Sequence, residues 1–313
     1  MVDEKKYIKA KSLENALELA FEHKQDFKFI AGGTDVLVNK FQGNENTDCL
    51  IDLSGIAELK TISKDEHYLK IGALVTLNEL QHHPDICSEF EVIAEAAKFV
   101  ASPMIRRTAT LGGNLLCENR CSFYNQSEWW REAVGYCLKC EGDICIATGG
   151  KKNCFSKFVS DMAVVLISMD ATIDMADING SYTTKLEDIY TGNGVAPRKL
   201  DKLALIKSVN LPLNQGFKSV YKKLRQRESM EFSSLSTAVS VNNNGKIKIV
   251  LGGVDPKPVV IEGTIKDNSE ELIKQAVKKS RIVDNDVFSR EYRKEMIGVF
   301  LIKSFNILLD KRG

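Results

Sequence analysis

Histidine is scarce in this chain, with 4 in 313 residues, and the catalytic groupings that depend on it are missing. His23, His67, His82 and His83 are scattered, and no Ser/His/Asp set or H-E-x-x-H run occurs, which argues against hydrolases of those kinds. A P-loop is absent. So is G-x-G-x-x-G, since Gly192-Asn193-Gly194 is followed by Pro197 where the third glycine would fall. A Rossmann nicotinamide site is therefore not expected. No sign of charge dominates, the formal net charge being +1, so nucleic acid is not an expected partner. The one basic run, Lys222, Lys223, Arg225 and Arg227, suits a solvated strand edge or a contact to one anionic ligand. Long apolar runs are lacking too. The longest, Met162 to Met169, falls well short of the roughly 20 residues of a membrane span. Met1 to Tyr7 is charged, without the apolar core of a signal peptide, so the chain reads as cytoplasmic.

What is present is ordinary globular composition, 43% hydrophobic and 27% charged, at a length that suits two domains or more. Short apolar strands alternate with helices at the start. Tyr7 to Lys9, Phe27 to Ile30 and Leu50 to Leu53 read as strands, with a Ser12-capped helix carrying Leu13, Ala16, Leu17 and Ala20 on one face. This order predicts a small, partly parallel unit over residues 1–57. A second unit over 58–200 carries a strand at Tyr68 to Ile71, helices at Leu77 to His82 and Glu89 to Val100, and the apolar helix Met162 to Ser168. A third, over 203–313, is expected to hold an antiparallel sheet from Ala204 to Val209 onward, covered by helices at about 269–281 and 287–309.

Six of the 8 cysteines, Cys117, Cys121, Cys137, Cys140, Cys145 and Cys154, fall in one short stretch that also holds both tryptophans, Trp129 and Trp130. In a reducing compartment such a cluster implies thiolate ligands rather than disulfides. Cys137-x2-Cys140 alone would suit zinc, but no second C-x2-C follows. Uneven spacing among aromatics fits an iron–sulfur cluster as well, and inert thiols remain open. Two glycine pairs flank chemistry of another kind. Ala31-Gly32-Gly33-Thr34-Asp35 lies between a strand and a helix, where bare amides and the helix start can hold a phosphate. Thr108-Ala109-Thr110-Leu111-Gly112-Gly113-Asn114 is a second such loop, and together they could grip two ends of one dinucleotide. Each alone is also compatible with a plain tight turn.

These segments, with Ser102-Pro103-x-Ile105-Arg106, Ser160-Asp161-Met162 and Gly252-Gly253-Val254-x-Pro256-x-Pro258, resemble in order the FAD-binding medium subunit of the xanthine dehydrogenase family of molybdenum hydroxylases. The resemblance implies an α+β fold: a two-subdomain FAD-binding unit of the molybdopterin dehydrogenase type, followed by an α+β C-terminal domain. It implies FAD contacts from Phe29 and Ile30 through Ala31, Gly32, Gly33, Thr34 and Asp35. Ala101, the second loop from Thr110 and Leu111 through Gly112, Gly113 and Asn114, and the pair Asp161 and Lys223 would complete the site.

Residues 118–156 form an insertion between two of these motifs, similar to that of the 4-hydroxybenzoyl-CoA reductase β subunit, which carries a [4Fe–4S] cluster. That likeness makes Cys121, Cys137, Cys145 and Cys154 the ligands and leaves Cys117 and Cys140 as extra thiols. The implied role is electron transfer, with substrate chemistry in another chain. The chain has no C-x4-C-x2-C run of its own, so a [2Fe–2S] small subunit and a molybdopterin large subunit are expected partners, in a dimer of heterotrimers, with ferredoxin or a similar external carrier. A medium subunit acting on a purine or other N-heterocycle, and a zinc-stabilised non-catalytic scaffold, are the alternatives.

Overall fold

The computed structural model describes residues 6–309. Its first part follows the expected strand–helix alternation: β1 (Lys6–Lys9), α1 (Leu13–Glu22), β2 (Phe27–Ile30), α2 (Val36–Phe41) and β3 (Cys49–Asp52). The three strands form one parallel sheet in the order β1-β3-β2. Ser12 caps α1 by accepting the Asn15 N–H at 3.1 Å, and Leu13, Ala16 and Ala20 bury the helix against β3 as their spacing predicts.

The middle part contains β4 (Ile62–Lys64), β5 (Tyr68–Gly72), α3 (Leu77–His82), α4 (Pro84–Glu89), α5 (Glu91–Lys98), α6 (Pro103–Arg106), α7 (Leu111–Leu115), α8 (Glu128–Val134), α9 (Asp161–Ser168), β6 (Thr172–Asp177), β7 (Gly180–Lys185) and β8 (Leu205–Pro212). Its sheet runs β4-β5-β8-β6-β7 with every pair antiparallel. The helix expected from Glu89 to Val100 begins later, because Phe90 leaves helical geometry between α4 and α5. Helix α9 is apolar from Met162 to Ile167 and buried at every position, packed between α5 and the C-terminal sheet. That burial carries Asp161, at its first turn, into the interior.

The last part is a four-stranded antiparallel sheet of β9 (Lys218–Leu224), β10 (Leu235–Val241), β11 (Lys246–Gly252) and β12 (Val259–Thr264), covered by α10 (Ser269–Lys279) and α11 (Arg290–Leu308). One expectation fails here. The strand expected at Ala204 to Val209, read as the first of this sheet, falls within Leu205–Pro212 and instead pairs with β5 and β6 in the middle sheet. A strand's apolar pattern reports burial and not which neighbour it pairs with, so the turn at Leu213 to Phe217 was the more telling signal.

The insertion leaves and re-enters the fold through a narrow neck. Arg120 and Lys157 pair both ways through their backbones, at 3.0 and 2.8 Å. Asn119 Nδ2 donates to the Ser156 and Pro256 carbonyls at 3.0 and 2.8 Å. Asn285, from the C-terminal part, accepts the Ser122 N–H at 3.2 Å on its carbonyl and donates to the Phe155 carbonyl at 2.8 Å. Among the described residues no helix is long and apolar enough to cross a membrane.

Candidate functional site

The two glycine loops meet. A Cβ on Gly32 would overlap the Thr108 carbonyl, so only glycine lets the first loop lie this close to the approach of the second. Gly33 sits at φ +70°, a conformation that glycine adopts without strain. In the first loop the backbone N–H groups of Gly32, Gly33, Thr34 and Asp35 find no acceptor among the described residues. Bare amides beside a cavity are what an anionic group needs.

The second loop differs. Its Leu111 and Gly112 N–H groups donate to the Val75 and Ala73 carbonyls at 2.8 Å. The Gly113 N–H donates to Thr110 Oγ1 at 3.1 Å, and the Asn114 N–H to the Thr110 carbonyl at 2.9 Å. The reading of two anion-competent loops is thereby corrected: the second is a wall, with no free amide over 111–114.

Two cavities flank this junction. One, of about 550 Å³, is lined by Phe27, Phe29, Ala31, Gly32, Gly33, Thr110 and Gly112, with Arg198 and Leu205 across from them. The other, of about 570 Å³, is lined by Ala101, Asn114, Asp161 and Lys223. Thr34, Asp35 and Gly113 line both, so the two adjoin at these residues. Ile30 and Leu111 line neither; both are buried in the core and position the loops from behind. The four histidines lie away from both cavities.

Asp161 and Lys223 form a buried ion pair at 2.6 Å. Tyr221 donates to Asp161 at 2.7 Å, Ser233 also donates to it, and Lys223 donates to the Phe99 carbonyl at 3.0 Å. Asp35 does not cap α2. Its carboxylate accepts the Glu118 N–H at 3.0 Å and pairs with Arg120, tying the first loop to the neck of the insertion. Sequence reasoning passed over Arg120 and Glu118, because nothing in a linear pattern links positions so far from residue 35.

Cys121, Cys137, Cys145 and Cys154 are buried and line one small apolar cavity with Tyr124, Leu138 and Ser156. Cys117 and Cys140 do not line it. Cys117 instead borders the 570 Å³ cavity, which Cys121 also lines. Burial pushes the Cys117 thiol well up, and raises Cys121 to about 11. The Cys140 thiol beside Cys137 lowers the latter to about 6. Among the described residues no three His, Cys, Asp or Glu side chains converge tightly enough to hold a single metal ion. Glu118 joins this region to the first cavity. Its burial would raise its carboxyl, but Lys139 at 2.6 Å and Arg198 at 2.8 Å override that and hold it at about 2.

Paired glycine loops beside two adjoining cavities, with a buried Asp–Lys pair at a helix start, suit the binding of an extended cofactor. Residues 3–214 match the family described as FAD binding domain in molybdopterin dehydrogenase, a span that ends just past β8. The chain belongs to that family. It is 34% identical to the aldehyde oxidoreductase FAD-binding subunit PaoB of Escherichia coli, over 75% of this chain and 77% of that one. To the nicotinate dehydrogenase FAD-subunit of Eubacterium barkeri it is 26% identical, over 75% and 68%. The fold superposes on a chain of carbon monoxide dehydrogenase from Hydrogenophaga pseudoflava with a TM-score of 0.74 at 20% identity, covering 98% and 97%. The chain is thus an oxidoreductase flavoprotein subunit with an α+β fold.

Proposed function

We propose that this chain is the FAD-carrying medium subunit of a molybdenum hydroxylase complex of the 4-hydroxybenzoyl-CoA reductase type, relaying electrons between an external carrier such as ferredoxin and a [2Fe–2S] small and a molybdopterin large subunit. FAD suits such a relay because it exchanges one or two electrons. The observation that carries the flavin placement is the contrast between the loops. The bare amides of residues 32–35 would take the pyrophosphate. Phe27, Phe29 and Leu205 offer an apolar floor for the adenosine end, and Ala101, Asn114, Asp161 and Lys223 would border the ring system.

The cysteine insertion would hold a [4Fe–4S] cluster on Cys121, Cys137, Cys145 and Cys154. Four buried thiols around one small apolar cavity support this. Each ligand of a cluster binds a different iron, so the sulfurs need not converge as tightly as they do around zinc. Deprotonating thiols that burial raises takes a bound metal. The relatives' names cover aldehydes, nicotinate, xanthine and carbon monoxide, and in this reading the substrate pocket belongs to another chain. In this reading residues 1–57, 58 to the end of β8, and the remainder are the three structural parts.

Purified protein should show a flavin spectrum, one FAD per chain, and about four iron and four sulfide. Cys121→Ser, Cys137→Ser, Cys145→Ser and Cys154→Ser should each lose iron, whereas Cys117→Ser and Cys140→Ser should keep it. Zinc without iron would sink the cluster reading, and full iron retention in the first four variants would overturn the ligand set.

A further inference from the structure

Charge around the cavity of about 550 Å³ does not cancel. At its apolar end the cations are balanced: Lys28 pairs with Glu45 at 2.9 Å, and Lys202, over the Phe27 ring at 5.0 Å, follows Asp201 on the same wall. Asp35, in the first glycine loop, is matched by Arg120. Arg198 is the exception. It shares one carboxylate, Glu118, with Lys139, at 2.8 and 2.6 Å. Two cations on one anion leave one positive charge in excess. Lys139 is sealed at 4% side-chain exposure, whereas Arg198 keeps 20% and lines the cavity, so Arg198 presents that excess.

A single peptide ties Arg198 to the first glycine loop. Its Nη1 donates to the Cys117 carbonyl at 3.1 Å, and the N–H of that same peptide, from Glu118, donates to the Asp35 carboxylate at 3.0 Å. Two contacts on one planar peptide keep the guanidinium within about 8 Å of that carboxylate. A guanidinium carries five N–H donors, and among the described residues only the Cys117 carbonyl and Glu118 accept from this one. Donors therefore remain on Arg198, across the same cavity from the bare amides of residues 32–35. That pairing suits a group with two linked anionic centres.

We propose that Arg198 binds the FAD pyrophosphate opposite the first glycine loop, and that Lys139 frees it to do so by taking a share of Glu118. Lys139 belongs to the insertion, where it lines the cysteine cavity and donates to the Gly194 carbonyl. The insertion is thus built into the flavin site through charge. The proposal rests on FAD occupying these cavities and is independent of the cluster reading. An arginine that only braced Cys117 and Glu118 would act on stability and would not respond to the charge count.

The test is a fluorescence titration of the deflavinated full chain with FAD. Arg198→Gln should bind FAD at least about tenfold more weakly, the loss of a charge-assisted contact, and Arg198→Lys should keep most of the affinity. Lys139→Met should weaken FAD severalfold from outside the site, because Glu118 then neutralises Arg198. Adding Glu118→Gln to Lys139→Met should restore near wild-type affinity. A bracing network predicts the opposite, since the second substitution removes a further contact. Unchanged affinity in Arg198→Gln would overturn the assignment, and a double variant that recovers nothing would overturn the charge sharing. Wild-type protein that takes up no FAD would instead overturn the flavin reading beneath both. Should the variants misfold, a crystal structure of the FAD-bound wild type decides. A phosphate oxygen within about 4 Å of an Arg198 nitrogen supports the contact, and none within that distance rejects it.

Discussion

Residue identity matters most where the first glycine loop meets its neighbours. Gly32 touches the Thr108 carbonyl so closely that Gly32→Ala must push the loops apart. The expected cost is about 1–3 kcal/mol, as for other overpacked sites, with a lower flavin content in the purified protein. Thermal unfolding and the ratio of visible to ultraviolet absorbance would report both, and a variant with full flavin content would show that the loop tolerates separation. Glu118 supplies a pH test. Its carboxyl is held at about 2, below its unfolded value, so its stabilising effect is complete above the unfolded value near 4.3. It is lost as pH falls from about 5 toward 2, and amounts to at most about 3 kcal/mol. In Glu118→Gln the urea midpoint should therefore fall less between pH 6 and pH 3 than in the wild type. Equal slopes would mean that Lys139 and Arg198 do not hold the carboxylate as drawn.

Among the elements, helix α8 ties the insertion to the N-terminal sheet unit. Ser127 caps it by accepting the Trp130 N–H at 3.3 Å. Arg131, on its inner face, donates to the Gln126 carbonyl at 2.6 Å and to the Gln42 carbonyl, just past α2, at 2.7 Å. It is 2% exposed. Arg131→Met would leave those carbonyls without a donor, a loss of about 2 kcal/mol concentrated on the insertion. Limited proteolysis should then cut within residues 122–153 faster than in the wild type, before the rest of the chain unfolds. Cleavage first in the C-terminal sheet would contradict this anchoring. The β8 strand illustrates what local pattern leaves open: its alternation is a strand's, but pairing with β5 and β6 depends on residues over a hundred positions earlier and some thirty earlier.

For the whole molecule, the contact between α9 and the C-terminal sheet is the decisive join. It carries the Asp161–Lys223 pair, which is nearly sealed from water at 3% and 2% side-chain exposure. Removing one partner strands a buried charge. Lys223→Met alone should cost about 3–5 kcal/mol in chemical denaturation, whereas Lys223→Met with Asp161→Asn should recover a good part of it. A double variant no more stable than the single one would mean that the loss does not come from a stranded Asp161 charge. The Asn285 bridge to Ser122 and Phe155 extends the same join to the insertion, so the C-terminal part supports the segment that carries the cysteines as well as the 570 Å³ cavity.

Much of this was legible in the chain alone. The parallel N-terminal unit, the buried α9, the glycine loops and the grouping of the cysteines follow from periodicity, glycine's freedom and side-chain chemistry, all of which are local. The tertiary structure decided three further things. It spent the amides of the second loop on Ala73, Val75 and Thr110 while leaving those of the first loop bare. It separated Cys117 and Cys140 from the cavity shared by the other four cysteines of the stretch. It also placed Arg120, unremarkable in sequence, against Asp35 and Phe232 at the wall of the 570 Å³ cavity. Each of these turns on which distant groups meet. Hydrogen bonding and desolvation act over a few ångströms in space, and spacing along the chain carries no record of that distance.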